Sequence, residues 1–232
     1  MSQSHHSPRY APDSLAALAH TLVLILVAAI VMVAFFAFIT PSVLGGMDGL
    51  LEAGPRALLV VSALGVFEFV VVVLLGLVLW GRRSLSDLGW RVEGLGRALA
   101  FGLLGALALF GLLLATVASF APDQLGDTLD TVRSFTLQQR LLFAFIGLSA
   151  AATEESLFRG QLQPLLIKRW GHWPGIVVGA AIFSVYHLPR QPLQLVSRFL
   201  FGMVLGGLRE RTGTLIAPAI AHTLFWILAG LA

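Results

Sequence analysis

Five side chains that could do chemistry stand in otherwise apolar stretches of the carboxy-terminal half: Glu154, Glu155, Arg159, His187 and His222. An ionised carboxylate at the centre of a lone membrane helix costs on the order of 3 kcal/mol. Two adjacent ones therefore need something that neutralises or uses them. On a helix, Glu155 and Arg159 are four apart with the acid first, the favourable order for an ion pair. Glu154 points about 100° away from Glu155 and has no partner on its own helix. Two histidines are candidates. His187 follows Phe183 by one turn, and His222 follows Pro218 by one turn, where the proline leaves the carbonyl of Thr214 without its helical donor. A carboxylate and two imidazoles drawn into one interior site can bind a divalent metal such as zinc. They can instead activate a water with Glu154 as general base, or relay protons. Glu68 is the contrasting case: a lone acid among valines and phenylalanines, for which the bland reading is a pair with a distant arginine.

The elements that must position these groups follow from composition. Of 232 residues, 57% are apolar and 12% charged, with a mean hydropathy of +0.89 and no cysteine. Soluble domains run at roughly 45–50% apolar and about 25% charged. Disorder and a disulfide scaffold are excluded by the same numbers. The net charge of +3 does not call for a nucleic acid, because the placement of the charges matters more than their sum. The expectation is an all-α, polytopic membrane bundle of seven to eight transmembrane helices, read as a single integral membrane domain over 1–232. Three plain spans (Leu22 to Ile39, extendable back to Leu15; Ala57 to Trp80; Ala98 to Ala121) occupy 1–139. Four decorated ones follow: Arg140 to Pro164, Trp173 to Leu188, Leu193 to Leu208 and Thr214 to Ala232. The first run exceeds the apolar core of a signal peptide, about 7–15 residues, and reads as a retained helix.

Grouping alternate loops puts Arg9, Arg82, Arg83, Arg91, Arg97, Arg159, Lys168, Arg169, Arg209 and Arg211 on one side, and Arg56, Arg133, Arg140, Arg190 and Arg198 on the other. The positive-inside rule then sets the amino terminus in the cytoplasm and the carboxy terminus outside. This topology puts His187 toward the outer end of its span and Glu154 past the middle on the cytoplasmic side, so only tilted or broken helices would unite them. Gly175 with Gly179, and Gly202 with Gly206, are spaced as helix-packing faces.

The run from Glu154-Glu155 to Arg159-Gly160 resembles the E-E-x-x-x-R motif of the CPBP family, which includes CAAX prenyl endopeptidases and bacteriocin-processing or immunity proteins. Phe183 to His187 is similar to that family's F-x-x-x-H, and Phe199 through Gly202, Gly206, Arg211-Thr212-Gly213 and Pro218 to His222 is similar to its last block. The resemblance covers roughly 140–230, a CPBP-like catalytic core. It implies an intramembrane endopeptidase acting on a peptide or membrane-associated protein within the bilayer. Carried over, Glu154 activates water with help from His187, Glu155 and Arg159 support the site or orient substrate, and His222 contacts the metal or the oxyanion. It leaves open a zinc set of His187, His222 and Glu154 or a metal-free glutamate mechanism; as a ligand, Glu154 could not also be the base. One position departs from the pattern. The last motif usually ends H-x-x-x-N, and here that place is Trp226. A side-chain amide could donate to the oxyanion, and losing such a donor costs about 10²–10³ in rate.

Two other functions compete with proteolysis. A non-catalytic scaffold or immunity protein of the same fold is motivated by Trp226. A proton-coupled transporter is motivated by Glu68 and the acid–histidine set, although the two halves show none of the symmetry of inverted repeats.

Overall fold

A computed structural model describes residues 14–44, 55–189 and 191–229, and every element in them is helical. Helix α1 (Leu15–Ala34) starts at Ser14, whose hydroxyl accepts from the Ala17 amide, and continues in a wider winding over Phe35–Leu44. Helix α2 (Pro55–Glu68) widens likewise over Phe69–Trp80, where the Gly81 amide reaches back five residues to the Gly76 carbonyl. The short α3 (Leu85–Leu88) precedes α4 (Leu95–Phe120) and α5 (Leu125–Ser134). Helix α6 (Leu137–Glu154) runs through a third wide winding, Glu155–Leu162, into α7 (Gln163–Trp170). Helices α8 (His172–Tyr186), α9 (Pro192–Thr212) and α10 (Ile216–Ala229) complete the chain.

Among the described residues four helices are long and apolar enough to cross a bilayer: Leu15–Ala34, Ser62–Trp80, Leu95–Phe120 and Leu137–Trp170. The all-helical membrane class follows from them. The remaining expected spans are shorter or more polar. Arg9, Arg190 and the last residues of the final span, 230–232, lie outside the described residues.

The α8–α9 pair differs most from the expectation of two separate crossings. At 15 residues α8 rises about 22 Å, short of a hydrocarbon layer of about 30 Å. Its amino-terminal end packs against α7: a Cβ on Gly175 would stand 2.6 Å from the Ile167 amide nitrogen. α9 returns antiparallel beside it, with the Ser184 hydroxyl donating to the Leu195 carbonyl at 2.6 Å. Gly202 lies so close that a Cβ would meet Ala180 at 2.8 Å. Glycine at 202 is therefore what lets the hairpin close.

The hairpin encloses the central α6–α7 line, which is buried without interruption from Thr153 to Gln163. On the other side α10 runs antiparallel to α6. Arg140, near the start of α6, donates to the Ile227 carbonyl at 3.2 Å, so the end of α10 and the start of α6 share one end of the bundle.

The opposite end carries a collar, residues 84–94. Ser84 and Asp87 form a reciprocal cap on α3, and the hydrogen bond from the Ser84 amide holds the Asp87 carboxyl below its ordinary range. The collar is tied to the second half by the Leu215 amide donating to the Gly89 carbonyl at 2.8 Å and the Thr214 hydroxyl donating to the Arg91 carbonyl at 2.8 Å. The Arg97 guanidinium also donates to the Arg211 carbonyl at 2.7 Å. Basic residues from both halves thus meet at one end. Arg159 is a correction to that grouping: it is 2% exposed, inside the helix, and is no loop charge.

Candidate active site

Glu154 closes α6, and Glu155 opens the wide winding. The Gln163 amide bonds to the Phe158 carbonyl, five residues back, so this stretch has a larger circumference than an α-helix. Such windings recur at functional sites. Here both adjacent acids stay inside: Glu155 is fully buried and Glu154 is 8% exposed.

The two acids have different surroundings. Glu155 Oε1 takes two charge-assisted contacts, from Arg159 Nη1 at 3.3 Å and from His222 Nδ1 at 2.9 Å. Arg159 is held in turn by the Gly202 carbonyl at 3.4 Å and by the face of Phe183, whose ring centre is 4.2 Å from its guanidinium carbon. Removing either charge would strand the other in a dry interior. Glu154 Oε2 is buried with no hydrogen-bond partner, yet His187 Nε2 stands 3.7 Å away and His222 Nε2 4.0 Å away.

Each ring is fixed by its other nitrogen. His187 Nδ1 donates to the Phe183 carbonyl at 2.8 Å, and His222 Nδ1 donates to Glu155. Those acceptors take the Nδ1 proton of each ring and leave Nε2 as the nitrogen that faces Glu154, a lone pair in the neutral tautomer. Phe183 and Tyr186 pack edge-on against His187, with ring centres 4.6 and 5.1 Å away.

The topological difficulty raised by the sequence is resolved by the hairpin. Sixteen residues separate Glu154 from Trp170 on the descending line, and fifteen separate His172 from His187 on the return, so both arrive at nearly one depth. His222 arrives from α10, seven residues beyond the Leu215–Gly89 tie. All five expected residues therefore share one site.

Three further features escaped the sequence reading. Trp90 of the collar donates its indole N–H to the Ser156 hydroxyl at 2.8 Å, pinning the collar two residues from Glu154. Arg198, counted as an outer loop charge, lies within α9 in electrostatic range of both Glu154 and His187. Glu68, for which a distant arginine was expected, makes no ion pair among the described residues, and its Oε1 is buried and unpartnered. It senses Glu154 electrostatically instead. Only an arginine inside an apolar run marked Arg198 in advance.

Residues 136–228 match the family model described as Rce1-like, type II CAAX prenyl endopeptidase. The match bears out the resemblance to the CPBP family. It covers α6 through α10 up to Leu228, and so includes all five site residues. No curated protein and no solved structure matches the chain. The Rce1-like domain supports a membrane protease type of function.

The residues were also tested as a metal site. Ligands 2.0–2.1 Å from a tetrahedral zinc stand about 3.3 Å from one another. The Glu154 oxygen is farther than that from both Nε2 atoms. Among the described residues, no three His, Asp or Glu side chains are grouped to hold a metal ion.

Proposed function

We propose that this chain is an intramembrane endopeptidase in which Glu154 activates a water for attack on a peptide bond. One observation carries the reading: a buried, unpartnered carboxylate oxygen is faced by two imidazole Nε2 atoms at 3.7 and 4.0 Å, which in the neutral rings are acceptors too. These three acceptors repel one another unless a group bearing hydrogens lies between them. Separations beyond 3.5 Å fit bridging by a single water.

Glu154 takes the proton of that water and later returns it to the leaving nitrogen, while His187 and His222 orient the water and share its charge. Glu155 holds the His222 ring in the tautomer this requires, and Arg159 holds Glu155. The substrate is a peptide segment of a membrane-associated protein. The basic collar faces the cytoplasm by the positive-inside rule, which sets the amino terminus inside and the carboxy terminus outside. In this reading the chain has seven to eight transmembrane helices over 1–232, with the short α8 entering the bilayer only as far as Glu154.

The test is a purified-protein assay in detergent on a susceptible peptide. Glu154→Gln, His187→Ala and His222→Ala should each lower kcat by about 10²–10⁴, the range for removing a positioned acid–base group. Chelation should leave wild-type activity in place, and purified protein should carry no stoichiometric zinc. Full activity in Glu154→Gln ends the proposal, and activity lost to a chelator and restored by zinc replaces its water-activation step. A scaffold or immunity role is the second reading, favoured by Trp226, whose indole N–H is buried without an acceptor. It requires Glu154→Gln to retain the cellular phenotype.

A further inference from the structure

Water attack at Glu154 converts the scissile carbonyl oxygen into an anion, and the five residues already placed offer that oxygen little. The two Nε2 atoms are acceptors turned to Glu154. Both Nδ1 hydrogens are committed, one to the Phe183 carbonyl and one to Glu155. The Arg159 guanidinium is occupied by Glu155 and by the Gly202 carbonyl, beneath the ring of Phe183. A developing oxyanion needs a preorganised donor in a dry site, where such a donor is worth far more than in water.

Arg198 meets that need by position. Two contacts bracket its depth along α9. The Leu195 carbonyl, three residues earlier, accepts from Ser184 of α8, and the Gly202 carbonyl, four residues later, accepts from Arg159. The buried Phe201 and Gly202, where a Cβ would meet Ala180 of α8 at 2.8 Å, lie three and four residues after Arg198 and share its helix face, so Arg198 stands on the side of α9 that meets α8. It is half-buried, makes no ion pair among the described residues, and lies in electrostatic range of Glu154 and His187. An arginine inside the bundle without a carboxylate partner is expensive to keep. Its five donors need an acceptor.

We infer that Arg198 is the oxyanion donor of this site, a catalytic residue whose guanidinium acquires its partner only as the tetrahedral intermediate forms. The inference rests on the endopeptidase reading. As the water O–H bond breaks, its proton passes to Glu154 and the new C–O bond forms. The carbonyl π pair moves onto oxygen opposite Arg198. On collapse the pair returns, the C–N bond breaks, and the nitrogen takes the proton from Glu154.

The experiment compares wild type, Arg198→Gln and Arg198→Lys, as full-length protein in detergent, on one fluorogenic peptide and on its phosphinate analogue, a tetrahedral anion of the same sequence. Thermal melting of each variant checks the fold. Arg198→Gln should lower kcat by about 10²–10³ with KM changed less than about threefold, and Arg198→Lys should recover part of the loss. Affinity for the phosphinate should fall in proportion to kcat/KM. Analogue binding measured in Glu154→Gln and in Glu154→Gln/Arg198→Gln repeats the comparison without turnover.

Unchanged kcat in a folded Arg198→Gln overturns the inference while leaving the endopeptidase reading intact. So does a loss confined to KM that vanishes on amidating the peptide's carboxy terminus, which would make Arg198 a binder of the substrate carboxylate. If wild type cleaves no peptide and binds no phosphinate, the endopeptidase reading fails and this inference falls with it.

Discussion

The first three long helices and the α6–α10 half meet the same solvent with opposite economies. In the first half, α1, α2 and α4 carry apolar side chains to lipid, with Leu26, Val66 and Leu103 each more than half exposed. Their only intramembrane acid, Glu68, keeps one oxygen without a partner. In the second half an acid pair, two histidines and an arginine are gathered in one place, where Glu155 bonds Arg159 and His222 and the unpartnered oxygen of Glu154 is faced by two imidazole nitrogens. Charge inside a membrane is affordable where the helices are arranged around it, and the first half shows what a charge looks like when they are not.

Several changes would break or sharpen that contrast. The largest concerns the buried pair. Arg159→Ala leaves Glu155 with His222 alone, and breaking one side of a buried ion pair costs about 3–5 kcal/mol. A melt of the purified variant should show this as a drop of many degrees, and an unchanged midpoint would mean that the pair is not dry. The equivalent change in the first half should go the other way. Glu68→Leu removes a buried unpaired oxygen, whose cost is about 1–3 kcal/mol, so the midpoint should rise with catalysis preserved. A loss of turnover there would show that the first half reaches into the chemistry.

Smaller again is the collar. Trp90→Phe deletes one hydrogen bond to Ser156, worth about 0.5–1.5 kcal/mol, and should loosen the collar enough to raise hydrogen exchange across 84–94. The smallest effect belongs to Asp87. Its carboxyl titrates lower folded than unfolded, so its contribution is complete above the ordinary carboxylate range and disappears as pH falls through its lowered folded value. Acid-induced loosening of α3 should be absent in Asp87→Asn.

Much of this was legible in the residues. The apolar runs and the i, i+4 pair Glu155–Arg159 follow from period and length alone. So did the need for Glu154 to find partners on other helices, because nothing on its own helix could serve. What could not be read was depth. A hydropathy run of Trp173 to Leu188 looks like a crossing, and only packing against α7 and α9 makes it a hairpin arm that stops beside Glu154. The same blindness put Arg159 and Arg198 among the loop charges. Local sequence gives their distance from an apolar run, whereas their burial depends on Gly202 letting α9 close over α8. The position of His222 between the two acids was hidden as well, since one ring can face both only when the wide winding turns consecutive carboxylates inward.

The collar also acts as a ruler. Gly160 packs against Leu88, and Leu215 is tied to Gly89. From there Glu154 is six residues away and His222 seven, a drop of about 9–10 Å at helical rise. An extended peptide covers that distance with about three residues. A peptide entering from the collar end can therefore reach the acid as a short extended strand, with no need to unwind a helix of its own.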